Sequence, residues 1–121
     1  MKFTLENIEG RLIGIAELEG RLDAHNSKPL QKIFLEWLEK TPLVLFDCTH
    51  LDFIDSSGLG AIVGCLRKAL EKEGDLRLSG LTGKVAMVFE LTKATKLFSI
   101  FANRSEAAMS FAAGADSGTG Q

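Results

Sequence analysis

Hydrophobic and polar positions change period several times along this chain, and the changes mark out its elements. Phe3 and Leu5, with Ile8 beyond them, alternate with polar residues as on a half-buried strand. Asn7–Gly10 (NIEG) reads as a turn. Leu12, Ile13, Ile15, Ala16 and Leu18 form a second strand ending near Gly20, and the two strands predict a hairpin. Arg21, Leu22 and Asp23 follow as strand end or loop. Ser27 and Pro29 mark a helix start, since proline is tolerated in a first turn. Leu30, Ile33, Phe34, Trp37 and Leu38 give that helix an apolar stripe. After Pro42, the continuous run Leu43–Phe46 suits a strand buried on both faces. A short acidic loop is expected next. Then Leu59, Ile62, Val63, Leu66 and Leu70 fall at helical spacing.

The junction between that strand and that helix carries Asp55, Ser56, Ser57 and Gly58. The oxygens of the first three are all suited to accept from the unpaired amides of the helix start. Gly58 removes bulk beside them. The result is a hydroxyl at a helix N-terminus, where amides and macrodipole favour negative charge, a place to carry a phosphate. Farther on, Glu73–Asp75 is a turn, Leu76 and Leu78 begin a short strand, and Gly80–Gly83 leads into a helix with Val85, Val88 and Phe89 inward. Leu97, Phe98, Ile100 and Phe101 read as a last short strand. Asn103 with Glu106 resembles a capping box for a closing helix of Ala107, Ala108 and Phe111. A hairpin followed by alternating helices and strands is an α/β pattern with a mostly parallel sheet. Sites in such sheets lie at the carboxyl ends of strands. Asp23 and Ser56 are therefore expected on one rim.

Composition narrows the function. A chain of 121 residues, 45% apolar and 25% charged, holds one domain with a real core. A net charge of −2 provides no basic field for nucleic acid or anionic lipid. No apolar run approaches the roughly 18 residues of a membrane span, and MKFTLENIEG lacks the apolar core of a secretory signal. Cys48 and Cys65 are too few for a disulfide framework and fit a reducing cytosol, so a cytoplasmic protein is expected. Residues 113–121 (AGADSGTGQ) read as a disordered Gly/Ser-rich tail, which leaves 1–112 as the domain.

Several chemistries fail on particular residues. Gly83-Lys84 is followed by Val85, and Leu78 stands where a phosphate-binding loop needs its first glycine. Cys48 and His50 with the remote His25 do not make a zinc set. Ser56 is not in a G-x-S-x-G elbow, and only two histidines are available for a triad. LVLFD resembles the phosphoacceptor strand of receiver domains, with Asp47 as acceptor. The acidic pair and the lysine that receivers need are missing, as is the D-x-D of haloacid-dehalogenase-type phosphatases.

GRLD at Gly20–Asp23 together with FIDSSGLG at Phe53–Gly60 resembles the STAS family, and within it the stand-alone bacterial anti-sigma factor antagonists. The resemblance spans roughly residues 3 to 112. It implies a single α/β domain with a mixed, mostly parallel sheet of about five strands and about four helices. It implies no catalysis, cofactor or metal. It also implies a partner that is both anti-sigma factor and serine kinase, and a phosphatase to reverse its action. By carry-over the phosphorylated residue is Ser56, with Ser57 second, and Asp23, Asp55, Ser57 and Gly58 surround it. The stretch TKATKLFSIFANRSEAAMSF matches the family only in pattern. Two other readings follow from the same residues: a receiver-like domain modified on Asp47, or an unphosphorylated STAS accessory subunit of a lipid transport system.

Overall fold

In the computed structural model, which describes residues 1–112, strand β1 (Lys2–Ile8) turns back into β2 (Arg11–Leu22) through Glu9 and Gly10. Both turn residues have positive φ (50° and 89°), the twist-matched geometry of a two-residue hairpin. Helix α1 (Ser27–Lys40), β3 (Leu43–Ile54), α2 (Ser56–Glu71), β4 (Asp75–Ser79) and α3 (Gly83–Leu91) follow, then a 3-10 turn (Ala94–Lys96), β5 (Ile100–Phe101) and α4 (Arg104–Met109). One five-stranded sheet has the order β1-β2-β3-β4-β5. β1 is antiparallel to β2, and β2 through β5 are mutually parallel. The chain is thus a single α/β domain over the described residues. The tail expected at 113–121 lies outside them.

The parity of the strands sorts the core into two layers. Val44, Phe46 and Cys48 of β3 join a large cluster with Leu30, Phe34 and Trp37 of α1, Ile62 and Cys65 of α2, and Val85 and Phe89 of α3. Leu45, one residue out of phase, packs instead with Ile13, Ile15, Ala107, Ala108 and Phe111 under α4. Phe34, Trp37 and Phe46 meet edge-to-face, and Phe3 stacks on Trp37 at 4.7 Å, fastening α1 across the hairpin.

Three sequence expectations are corrected. Residues 47–54, expected as an acidic loop, continue β3. Its inward residues Phe46, Cys48, Leu51 and Ile54 step by two, three and three, because β3 has extra residues between Asp47 and His50 and between Leu51 and Phe53 relative to β2. Bulges of this kind break the period-two signature. Ile33 and Leu70, placed in the apolar stripes, are 36% and 55% exposed. The last strand is only Ile100–Phe101, since Phe98 instead packs on Phe89 after the 3-10 turn.

Candidate functional site

β2 and β3 run seven residues of β3 past the last β4 pair, Asp47–Ser79, and finish together at the pair Leu22–Ile54. The two connecting segments that leave this end carry Asp23 and Asp55–Gly58. They are joined at once: the Asp55 amide donates to the Leu22 carbonyl at 3.3 Å. Gly58, in the first turn of α2, lies directly over that same carbonyl, and a Cβ there would collide with it and stand 2.9 Å from Ile54 Cγ1. The expected apposition of the Asp23 and Ser56 segments on one rim is what the structure has.

Of the three candidate caps, Asp55 does the capping. Its backbone is extended (φ −110°, ψ −173°), and its carboxylate accepts from the Gly58 amide at 2.9 Å. Ser56 and Ser57 are both exposed, and among the described residues neither hydroxyl has a hydrogen-bond partner. Their amides open the helix, so both hydroxyls stand at its positive end. Ser56 also borders a groove of about 490 Å³ between α2 and α3, lined by Ile54, Leu59, Val63 and Arg67 on one side and Val88 and Thr92 on the other.

The Asp23 turn is tightly knit. Its amide donates to Asn26 Oδ1 at 2.8 Å, and its carbonyl accepts from Ser27 Oγ at 2.5 Å. The His25 amide donates to Asp23 Oδ1 at 3.0 Å and, ahead of the nearby Arg21, holds that carboxyl below its ordinary value. Asp23 is therefore a fixed anion on the rim at neutral pH.

Asp47 is not on that rim. It is 8% exposed, faces α4, and has both oxygens engaged: Oδ1 accepts from the Thr49 amide and hydroxyl, Oδ2 from Arg104 Nε at 3.0 Å. Burial pushes its carboxyl up, but the Thr49 and Arg104 bonds outweigh that and leave it low. Arg104 also pairs with Glu17 at 3.0 Å, so one guanidinium on α4 clasps β2 and β3. Nothing in the spacing of these residues signals the clasp, since Arg104 and Asp47 lie 57 positions apart. A carboxylate so enclosed is poorly placed to take a phosphoryl group. The metal candidates do not converge either: Cys48 is fully buried while His25 and His50 are exposed. Among the described residues no three His, Cys, Asp or Glu gather as a metal site, and no helix is long and apolar enough to cross a membrane.

The chain is similar to known proteins over most of its length. The STAS domain model matches residues 4–107. BtrV of Bordetella bronchiseptica, named as an anti-sigma factor antagonist, is 30% identical over 112 residues, covering 92% of this chain and 95% of its own. The anti-sigma-B factor antagonist of Listeria monocytogenes is 28% identical over 82 residues, 67% of this chain and 72% of its own. A crystal structure from Thermotoga maritima, described as an anti-sigma factor antagonist, superposes with a TM-score of 0.76 at 26% identity, covering 88% and 91% of the two chains.

Proposed function

This chain belongs to the STAS domain family, and from that premise we propose that it is a partner-switching anti-sigma factor antagonist controlled at Ser56. Unmodified, it binds an anti-sigma factor that is also a serine kinase and so frees the sigma factor. Phosphorylated on Ser56, it lets the partner go, and a phosphatase resets it. Both events would take place in the cytoplasm. The relatives named as anti-sigma factor antagonists support the general role.

The observation that carries the switch is the division of labour at the start of α2: Asp55 closes the helix, and the neighbouring Ser56 hydroxyl is exposed and unbonded. Phosphate adds about −1.5 to −2 charge at neutral pH. At a helix N-terminus that charge is favoured by about 0.3–1 kcal/mol when exposed, so the domain should hold its shape. The cost falls on docking. A partner covering this rim must desolvate the dianion and bring it against the fixed Asp23 carboxylate. A penalty of about 3 kcal/mol would weaken binding roughly a hundredfold.

The test is to incubate the protein with its cognate kinase and ATP, map the modified residue by mass spectrometry, and titrate both forms against the kinase by calorimetry. Phosphate on Ser56 with loss of binding is expected. Modification elsewhere, or equal affinity of the two forms, would overturn the assignment. Ser56→Ala should bind the partner and stay bound in the presence of ATP.

A further inference from the structure

The two edges of the sheet are unlike. β5 offers two residues, whereas β1 offers seven in unbroken register with β2, without proline or bulge. Among the described residues β1 pairs with β2 alone. The hairpin geometry says which of its backbone groups are free. In a two-residue hairpin the flanking pair, here Ile8–Arg11, exchanges both hydrogen bonds, and bonded and non-bonded pairs alternate from there. Lys2, Thr4, Glu6 and Ile8 therefore bond inward to β2. Phe3, Leu5 and Asn7 aim their amides and carbonyls at the open edge. Such an edge is a template for another strand unless something blunts it.

We propose that the open edge of β1 pairs with β1 of a second copy, antiparallel about a two-fold axis at Thr4, to make one sheet continuous through both domains. The side chains select that occupant and register. With Thr4 opposite Thr4, Phe3 and Leu5 face one another in both halves as bonded pairs, so all outward backbone groups from Phe3 to Leu5 are matched. The same register sets Lys2 of each copy against Glu6 of the other, giving two opposite-charge pairs on the α4 side of the sheet. On the α1 side it covers Leu5, 44% exposed in the single chain, with the Phe3 ring that already stacks on Trp37. Moving the axis one residue, to Leu5, places Lys2 against Ile8 and Glu6 against Thr4 and loses both charge pairs. Because the copies run antiparallel, their Ser56 rims point to opposite ends of the assembly. A dimer formed this way leaves both rims free for other proteins.

Sedimentation equilibrium of the full chain over a concentration series, with circular dichroism melts of each variant, tests this. The unaltered protein should dimerise reversibly. Lys2→Glu and Glu6→Lys each turn two attractive pairs into two repulsive ones and should raise the dimer dissociation constant about tenfold or more. Glu6 faces Ile13 in its own hairpin while Lys2 faces Glu17, so Glu6→Lys should be the milder change to the monomer. An equimolar mixture of the two variants restores both opposite-charge pairs between unlike chains, and should dimerise as tightly as the unaltered protein. A protein that stays monomeric throughout, variants that dimerise normally, or a mixture no tighter than its components would each overturn the proposal.

Discussion

The Leu22 carbonyl at the end of β2 rests against the bare Cα of Gly58 on α2, an approach that leaves no room for a side chain there. Helix propensity alone would favour alanine at position 58 by about 1 kcal/mol. The obstacle to a methyl group is backbone, which cannot turn aside as a side chain can. Gly58→Ala is therefore expected to destabilise the domain by about 1–3 kcal/mol in urea unfolding. Gly60 lies two residues on in the same helix, and a Cβ there meets nothing within 4 Å. Gly60→Ala should stabilise by up to about 1 kcal/mol. Similar behaviour of the two variants would show that the contact at Gly58 does not matter.

The cap and the Ser56 hydroxyl are separable. Removing the Asp55 carboxylate frees the Gly58 amide, so Asp55→Ala should cost about 0.5–2 kcal/mol, and Asp55→Asn much less. Ser56→Ala removes an unbonded exposed hydroxyl and should stay within about 0.5 kcal/mol of the unaltered protein. Thermal melts of the three variants decide the matter. A large loss with Ser56→Ala would mean the serine shares in the cap.

The architecture was largely legible because the long elements keep one period. Leu30, Phe34, Trp37 and Leu38 on α1 and Ile62 and Leu66 on α2 are buried as their spacing foretold. Legibility failed where a bulge inserted residues, as in β3 beyond Asp47. It failed too where an amphipathic stripe ran past its cover, as at Leu70. The acidic junction could be found from its residue types, but not which oxygen caps. That depends on the extended backbone at Asp55, which three similar candidates in a row do not reveal. The clasp of Arg104 on Asp47 and Glu17 left no trace in the sequence, because it exists only after the sheet is assembled.

That clasp makes an acid-sensitive contribution. The folded Asp47 carboxyl titrates below its ordinary value of 3.8. Its stabilisation is thus fully present above that value and is lost as the pH falls through the lowered one. Asp47→Asn should be less stable than the unaltered protein at neutral pH, with the gap narrowing in urea unfolding below about pH 4. A gap of constant size down to acid would show that packing rather than charge holds α4 at this point.

Both thiols should be inert. Burial pushes Cys48 up to about 12, with the Asp47 charge adding to the effect, and burial alone pushes Cys65 up to about 12. A chromogenic disulfide reagent at pH 8 should react with neither in the native protein and with both in denaturant. Rapid labelling of either would mean that the layer beneath α1 and α2 opens readily.

Closure of the helix by Asp55 relieves the neighbouring serine of that task. An alcohol that bears none of the scaffold's weight can be exchanged for alanine, threonine or a permanent carboxylate while the protein still folds. The architecture at this rim is therefore expected to persist whatever small side chain stands at position 56.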